Sequence, residues 1–400
     1  MIRRLRFGFM LLAAVLAVIG LAMLPGAVPA APVLVPVTAP PPVTSASSEN
    51  ALGQAALGYD DALRNVSDRT RLVQAIDYSL QYLATPKAEE AYRQYAIAEF
   101  SRDRTRRSLR RLRQLVLQSP TPEALQQAVL REFILYQSVG KDGQGTVDFT
   151  GYFEPIYQAS RTPSPEYRYP LYRRPPALDT WAQPHPTRLQ LEGADGLQGS
   201  QGRLRGLELV WLRDRLEAFL VQVQGSAKLQ LPDGQFVSVG YAGRTEHPYR
   251  SIGRALVDDG ILQAEGLTLP AVIDYFRQHP ETLNTYLPRN ERFVFFRETD
   301  GGAPTGSLSV PVTAGRSIAT DKTLMPPGAP AVIAFPLPEQ TESGQWSARP
   351  VNRFVLDQDT GGAILGPGRV DLFVGTGQAA GEQAGLINAP GQLYYLLLRE

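Results

Sequence analysis

The chain contains no cysteine, and its three histidines, His185, His247 and His279, are far apart in sequence. A disulfide framework, a thiol nucleophile and a thiolate metal site are excluded, and zinc hydrolysis or a Ser-His-Asp arrangement starts from a poor inventory. An excess of charge of one sign is missing too. Forty lysines and arginines stand against 39 aspartates and glutamates, a formal net charge of +1, so no overall field is available to hold a polyanion such as nucleic acid. What the 400 residues do have is 43% hydrophobic content, enough for a sizeable core, together with 36 glycines and 33 prolines. That balance favours β-structure joined by turns, and at about 150 residues per domain two domains are expected.

Arg3, Arg4 and Arg6 precede an apolar run from Phe7 to Leu24, which is followed by Pro25-Gly26 and by Val28-Pro29-Ala30-Ala31. This is the order of an export signal over residues 1–30, cut near Ala31. The run is longer than the usual signal core of about 7 to 15 residues and just reaches a membrane span, so retention as an anchor is the alternative. An exported protein of the periplasm or cell envelope is expected, with membrane association only through this segment. Without cysteine it is not a lipoprotein. Residues 31–50, rich in proline, serine and threonine, read as a linker.

From Ala51 to about Gly140 the pattern is helical. Leu72, Val73, Ile76, Leu80 and Leu83 form one stripe, and Thr121-Pro122-Glu123 supplies a cap ahead of Leu125, Ala128, Val129, Phe133 and Tyr136. The arginines between Ser101 and Arg113 suggest a nucleic-acid or lipid surface, but a solvated helix face is the more ordinary reading. After Gly145 the texture changes to short alternating stretches, at Thr146–Tyr157, Leu207–Val223, Lys228–Val239, Arg292–Arg297, Ala331–Phe335, Arg353–Leu356, Arg369–Val374 and Gln392–Leu398. Many short strands with turn signals predict barrels. Helices are expected at Ser251–Asp258 and Leu269–Tyr286.

The chemistry has to come from carboxylates. Asp357, Asp359 and Asp371 sit among apolar strand residues and glycines, and in a strand over Arg369–Val374 Asp371 shares a face with Phe373. A carboxyl beside an aromatic ring in a partly dry groove can hold a proton near neutral pH and act as a general acid. The alternative is a turn cap or an ion pair with a nearby arginine. Asp359-Thr360-Gly361-Gly362 has the look of an aspartic-protease turn, but the second such turn is absent. Gly375-Thr376-Gly377 hints at a dinucleotide fingerprint, yet too little chain follows for that fold, and a tight turn is expected instead.

Five blocks then stand together: Thr150-Gly151-Tyr152-Phe153-Glu154-Pro155, Val221-Gln222-Val223-Gln224-Gly225-Ser226, Gly240-Tyr241-Ala242-Gly243, His247-Pro248-Tyr249-Arg250-Ser251-Ile252-Gly253-Arg254, and Asp359-Thr360-Gly361-Gly362-Ala363-Ile364 with Asp371. In content and order the chain resembles the membrane-bound lytic murein transglycosylase A family over about Thr146–Leu398. The resemblance implies a mainly β fold with some α: a double-psi β-barrel carrying an inserted second β-barrel-like domain, preceded by a helical segment. The expected boundaries are 51–155 for the helices and the first part of the barrel, 156–291 for the insert and 292–400 for the last part. It further implies peptidoglycan glycan strands as partner, no cofactor and no metal, a monomer, and cleavage of the MurNAc-GlcNAc β-1,4 bond to leave 1,6-anhydroMurNAc ends. Asp371 matches the family's catalytic aspartate and Asp359 a second one. Thr150, Tyr152, Gln222, Gln224, Ser226 and Tyr249 become expected substrate-binding residues, although any of them can be an ordinary strand residue. Arg250 and Arg254 can meet substrate carboxylates or merely cap the barrel.

One carboxyl suffices for such a reaction, because the sugar's own C6 hydroxyl can be the nucleophile in place of water or a second carboxylate. Asp359 is then expected to position or tune Asp371. A non-catalytic wall-binding module and a hydrolytic muramidase are the competing readings.

Overall fold

The computed structural model describes residues 32–37, 57–265 and 267–400. The expected leader and all but the first few residues of the expected linker lie outside them. Among the described residues no helix is long and apolar enough to cross a membrane.

After one short strand, described below, come the helices Val66–Tyr82, Pro86–Arg93, Arg102–Gln118 and Pro122–Glu132. Each starts where a polar side chain accepts an otherwise orphaned N–H, as Asn65 does from Ser67, Thr85 from Ala88, Ser101 from Arg104 and Thr121 from Ala124. Leu72, Ala75, Ile76, Leu109, Leu112, Leu125 and Val129 are buried in one core with the sheet described next. Part of the arginine-rich helix is tied to its neighbours, while Arg107 and Arg110 stay exposed. Arg113 pairs with Asp77, Arg111 with Glu132, Arg107 with Asp103 and Glu400, and Arg104 donates to the Leu398 carbonyl.

The first strands are β1 (Leu34–Pro36), β2 (Phe133–Ser138) and β3 (Val147–Glu154). Two expectations are corrected here. The linker's first residues add an edge strand, β1 pairing antiparallel with β2, and Pro36 is tolerated because an edge leaves some N–H positions unused. The helical region also stops at Glu132. Phe133-Ile134-Leu135-Tyr136 are aromatic and branched, Phe133 takes extended backbone, and tertiary pairing with the C-terminal strand decides the conformation.

A second group follows: β4 (Ile156–Ser160), β5 (Tyr169–Tyr172), β6 (Glu208–Leu212), β7 (Ser226–Gln230), β8 (Phe236–Arg244) and β9 (Val294–Thr299). They form one sheet in the order β5-β6-β4-β7-β8-β9, and a bridge from Arg173 to Phe296 brings its two edges together. Because β9 pairs with β8, the insert runs past residue 291, and Arg292–Arg297 does not open the barrel's last part. The stretch Leu207–Val223 is likewise not one strand. Asp214 accepts from Glu217 N–H at 3.0 Å and starts a helix, Arg215–Gln224, which Gly225 ends in the left-handed region. The helix Ile252–Asp258 falls within the expected stretch, but the expected Leu269–Tyr286 helix is broken at Pro280 into Leu269–Gln278 and a single turn at Leu283–Tyr286.

The last strands are β10 (Ser317–Ala319), β11 (Pro330–Gln340), β12 (Trp346–Asp359), β13 (Arg369–Thr376) and β14 (Asn388–Leu398). With β3 they close a six-stranded barrel, β14-β11-β12-β10-β13-β3 and back to β14. Val147, Phe149, Ile318, Ile333, Val370, Leu372 and Leu393 belong to its apolar core. Closure removes the free edges and leaves an outer face on which alternate residues of β3 and β13 stand.

Candidate active site

Strand register brings the candidate residues into one row. Across β12, β10, β13, β3 and β14 the neighbours are Asp359, Ala319, Asp371, Thr150 and Asn388. Directly paired residues share a face, so the two aspartates stand two strands apart, roughly 9–10 Å between backbones, with only the methyl group of Ala319 between them. Phe373 and Tyr152 form the next pair, their ring centroids 5.2 Å apart. Gly151 separates Thr150 from Tyr152 for a steric reason. A Cβ there would lie 2.8 Å from Ala384 Cα in the helix Gln378–Leu386.

Asp371 is half-buried, and its Oδ1 accepts a hydrogen bond from Thr150 Oγ1 at 2.9 Å. Arg369 Nη2 donates to the same hydroxyl at 3.2 Å, which turns the Thr150 proton toward the carboxylate. Among the described residues Oδ2 has no partner. Burial is the main cause pushing the carboxyl up to about 6, the Thr150 bond and Arg369 oppose it, and the charge of Asp359 adds to it. Asp359 differs. Its Oδ1 accepts from the backbone N–H of Ser307 and of Thr360, both at 2.8 Å, and its Oδ2 accepts at 2.9 Å from Tyr152 Oη, which comes from β3 on the far side of β13 and β10. Burial also raises this carboxyl, against those three bonds. The Tyr152 phenol is pushed well up by burial and by the same carboxylate, so it stays a donor. Asp357, two residues back, is enclosed in the barrel with Lys322, Thr320 and Tyr395.

The remaining expected residues divide. Gln224 Oε1 accepts from Phe153 N–H at 3.1 Å and ties the insert's helix end to β3, leaving its amide nitrogen without a partner among the described residues. Ser226 begins β7 and is half-exposed. Tyr249 is half-buried next to Arg292. Burial raises its phenol foremost, and the charges of Arg292 and Asp371 both act on it. Gln222 departs from expectation: on a helix instead of a strand, it is buried, and its Oε1 accepts from Arg188 Nη2 at 2.9 Å and from Val294 N–H at 3.1 Å. It holds the insert together. Arg254 pairs with Asp258 at 2.9 Å on its own helix, and Arg250 is exposed.

A cavity of about 480 Å³ opens beside Phe373, lined also by Tyr78, Glu154, Lys228, Thr313 and Thr376. It extends the wall that carries Asp371. Sequence reading missed Arg369 and the Ser307 backbone. The first was legible as a same-face neighbour two residues before Asp371, whereas the second arrives from a distant loop.

The fold and site define a mainly β protein, a closed barrel bearing an inserted sheet, with one partly dry carboxyl displayed on the barrel's outer wall. Residues 148–297 match the family model described as the MltA specific insert domain, and residues 316–397 match the 3D domain. The chain is 32% identical to membrane-bound lytic murein transglycosylase A of Escherichia coli K12 over 65% of its own length and 68% of that protein's. It is 32% identical to the protein of that name from Vibrio cholerae, over 71% and 74%. Its fold matches the crystal structure of a membrane-bound lytic murein transglycosylase from Agrobacterium tumefaciens with a TM-score of 0.67 and 29% identity, over 83% of this chain and 93% of the other. The chain belongs to the membrane-bound lytic murein transglycosylase A family.

Proposed function

We propose that this protein is a peptidoglycan lytic transglycosylase of the cell envelope, and that Asp371 performs both proton transfers. Family membership supports the reaction class. The observation that carries the mechanism is the contrast between two carboxyls: Asp359 has both oxygens engaged by three donors, while Asp371 keeps Oδ2 free among the described residues.

With its carboxyl raised to about 6, Asp371 is protonated in about one molecule in ten at pH 7, enough for a general acid. Protonated Oδ2 gives its proton to the glycosidic oxygen as the bond to the muramic C1 breaks. The C6 hydroxyl of the same sugar then attacks C1 and gives its proton to the Asp371 carboxylate. This closes the 1,6-anhydro ring and returns the acid to its starting form. No water enters. Thr150, steered by Arg369, fixes the carboxyl plane, and Asp359, held through Tyr152, tunes it by its charge. Half-buried Tyr152 offers an aromatic face on which a sugar ring can lie, with buried Phe373 packed against it, and Gln224, Ser226 and Tyr249 supply polar tips from the insert.

Digestion of cell wall in water enriched in the heavy oxygen isotope tests the reading. Anhydro ends are expected, about 18 mass units lighter than hydrolysed ends by the loss of one water, and free of label. Labelled reducing ends would make the protein a hydrolase, and no release at all would leave only a binding module.

A further inference from the structure

Five arginines are buried among the described residues: Arg188, Arg215, Arg292, Arg316 and Arg353. Four of them meet a carboxylate. Arg188 and Arg215 meet Glu192, and Arg316 and Arg353 meet Asp60. Arg292, only 9% exposed, meets none. Its Nε donates to the His247 carbonyl at 2.8 Å, but its two terminal nitrogens have no hydrogen-bond partner among the described residues. Neither terminal nitrogen is fully enclosed, so the guanidinium is a partly desolvated cation left open to a ligand, and burial together with the charge of Arg244 lowers it to about 10.

The position of this group gives it meaning. The guanidinium comes from the insert and lies directly against Gly362, in the turn that follows Asp359 on the barrel; a Cβ there would fall 1.6 Å from Nη1. Only glycine leaves room for that approach. The turn that the guanidinium touches follows directly on Asp359, which stands in one row with Asp371, and the Tyr249 ring centroid is 6.0 Å from the same guanidinium, so the cation borders the wall that carries the proposed acid. Arg244, at the exposed end of β8, adds a second cation that also lacks a carboxylate partner among the described residues. The Tyr241 phenol is affected by both arginines.

We propose that Arg292 and Arg244 form an anion subsite that receives a carboxylate carried on the O3 substituent of the muramic residue. The proposal rests on the lytic reading above and deepens it. The sugar rings are neutral and can offer such a site hydrogen bonds to their hydroxyl and acetamido oxygens but no counter-charge. A carboxylate on the substituent fits the planar forks of two arginines, and a peptide-bearing strand supplies it from amino acids of the stem peptide. In a strand stripped of peptide the lactyl group supplies it instead. Bound there, the substituent would fix which sugar of the alternating strand has its C1 at Asp371.

Equilibrium binding by calorimetry tests this in the Asp371→Asn background, where cleavage does not intervene. Three probes are used: a chitin tetrasaccharide without carboxylates, a peptide-free murein tetrasaccharide with lactyl carboxylates, and the peptide-bearing tetrasaccharide. Adding Arg244→Gln, an exposed substitution that spares the fold, should weaken the carboxylate-bearing ligands about tenfold more than chitin, as expected for losing a charge-assisted hydrogen bond. Methyl esters of those ligands should lose that advantage. Loss with the lactyl probe alone assigns the carboxylate to the lactyl group, and loss with the peptide probe alone assigns it to the peptide. Arg292→Lys, which keeps the charge but not the fork, should retain part of the discrimination. Equal weakening of all three probes, or of none, would overturn the subsite. Failure of the two readings is separable: discrimination without anhydro products would reject the lytic reading and keep the subsite, and anhydro products without discrimination would do the reverse.

Discussion

Asp357 and Asp371 belong to the same barrel but to opposite sides of its wall. Burial raises both carboxyls, yet Asp357 is enclosed with the Lys322 ammonium, the Thr320 hydroxyl and the Tyr395 phenol, the last two at 2.8 and 2.7 Å. Among the described residues Asp371 has one hydroxyl donor, no cation in contact and one free oxygen. A carboxylate inside the barrel is locked by its partners, whereas one on the cleft wall is left able to exchange a proton. The difference lies in compensation, not in burial.

The largest effect should come from removing the exchangeable proton. Asp371→Asn keeps the shape and should lose turnover by about 10² to 10⁴, as measured by release of soluble muropeptides. Its stability should change in a direction that identifies the group. The folded carboxyl is raised from 3.8 to about 6, so ionisation between those values costs the folded state, and wild-type stability falls as pH rises through that window. The Asn variant should therefore melt above the wild type at pH 7 and level with it below about pH 3.8.

Breaking the interior pair should act on stability instead. Lys322→Met leaves Asp357 without its cation and should cost about 3–5 kcal/mol by denaturant unfolding, and because Lys322 also donates to the Asp359 carbonyl, turnover of the folded protein should fall, but far less than in Asp371→Asn. A smaller effect is expected at Thr150. Thr150→Val removes the one side-chain bond that holds Asp371 down, so the fall of kcat/KM with rising pH should move to higher pH, with turnover reduced by roughly threefold to tenfold.

The same contrast explains what was legible in the sequence. Strands with strict alternation, such as Arg369–Thr376, announce their faces, and the alternation alone places Asp371 and Phe373 together on one of them. The capped helix that starts after Thr121 was equally plain. The failures are local patterns overruled by long-range pairing. Phe133–Ser138 continues a helical stripe but is taken by β14, and Arg292–Arg297 looks like the start of the barrel's last part but is taken by β8. Val221–Gln224 alternates like a strand, yet Asp214 and Gly225 bracket a helix around it. Arg292 could not be singled out, because nothing in its neighbourhood tells that four other buried arginines find acids and this one does not.

The central claim is that one carboxyl, raised by a partly dry wall and left with a free oxygen, carries both proton transfers. Titration of carbon-13-labelled aspartate side chains by NMR, with the Asp371 signal assigned by its absence in Asp371→Asn, tests it most directly. An apparent pKa of about 6, coincident with the pH at which kcat/KM declines, is the predicted result. A signal titrating in the ordinary range near 3.8, or an activity limb that stays at another pH when the Asp371 titration is moved by Thr150→Val, would contradict it.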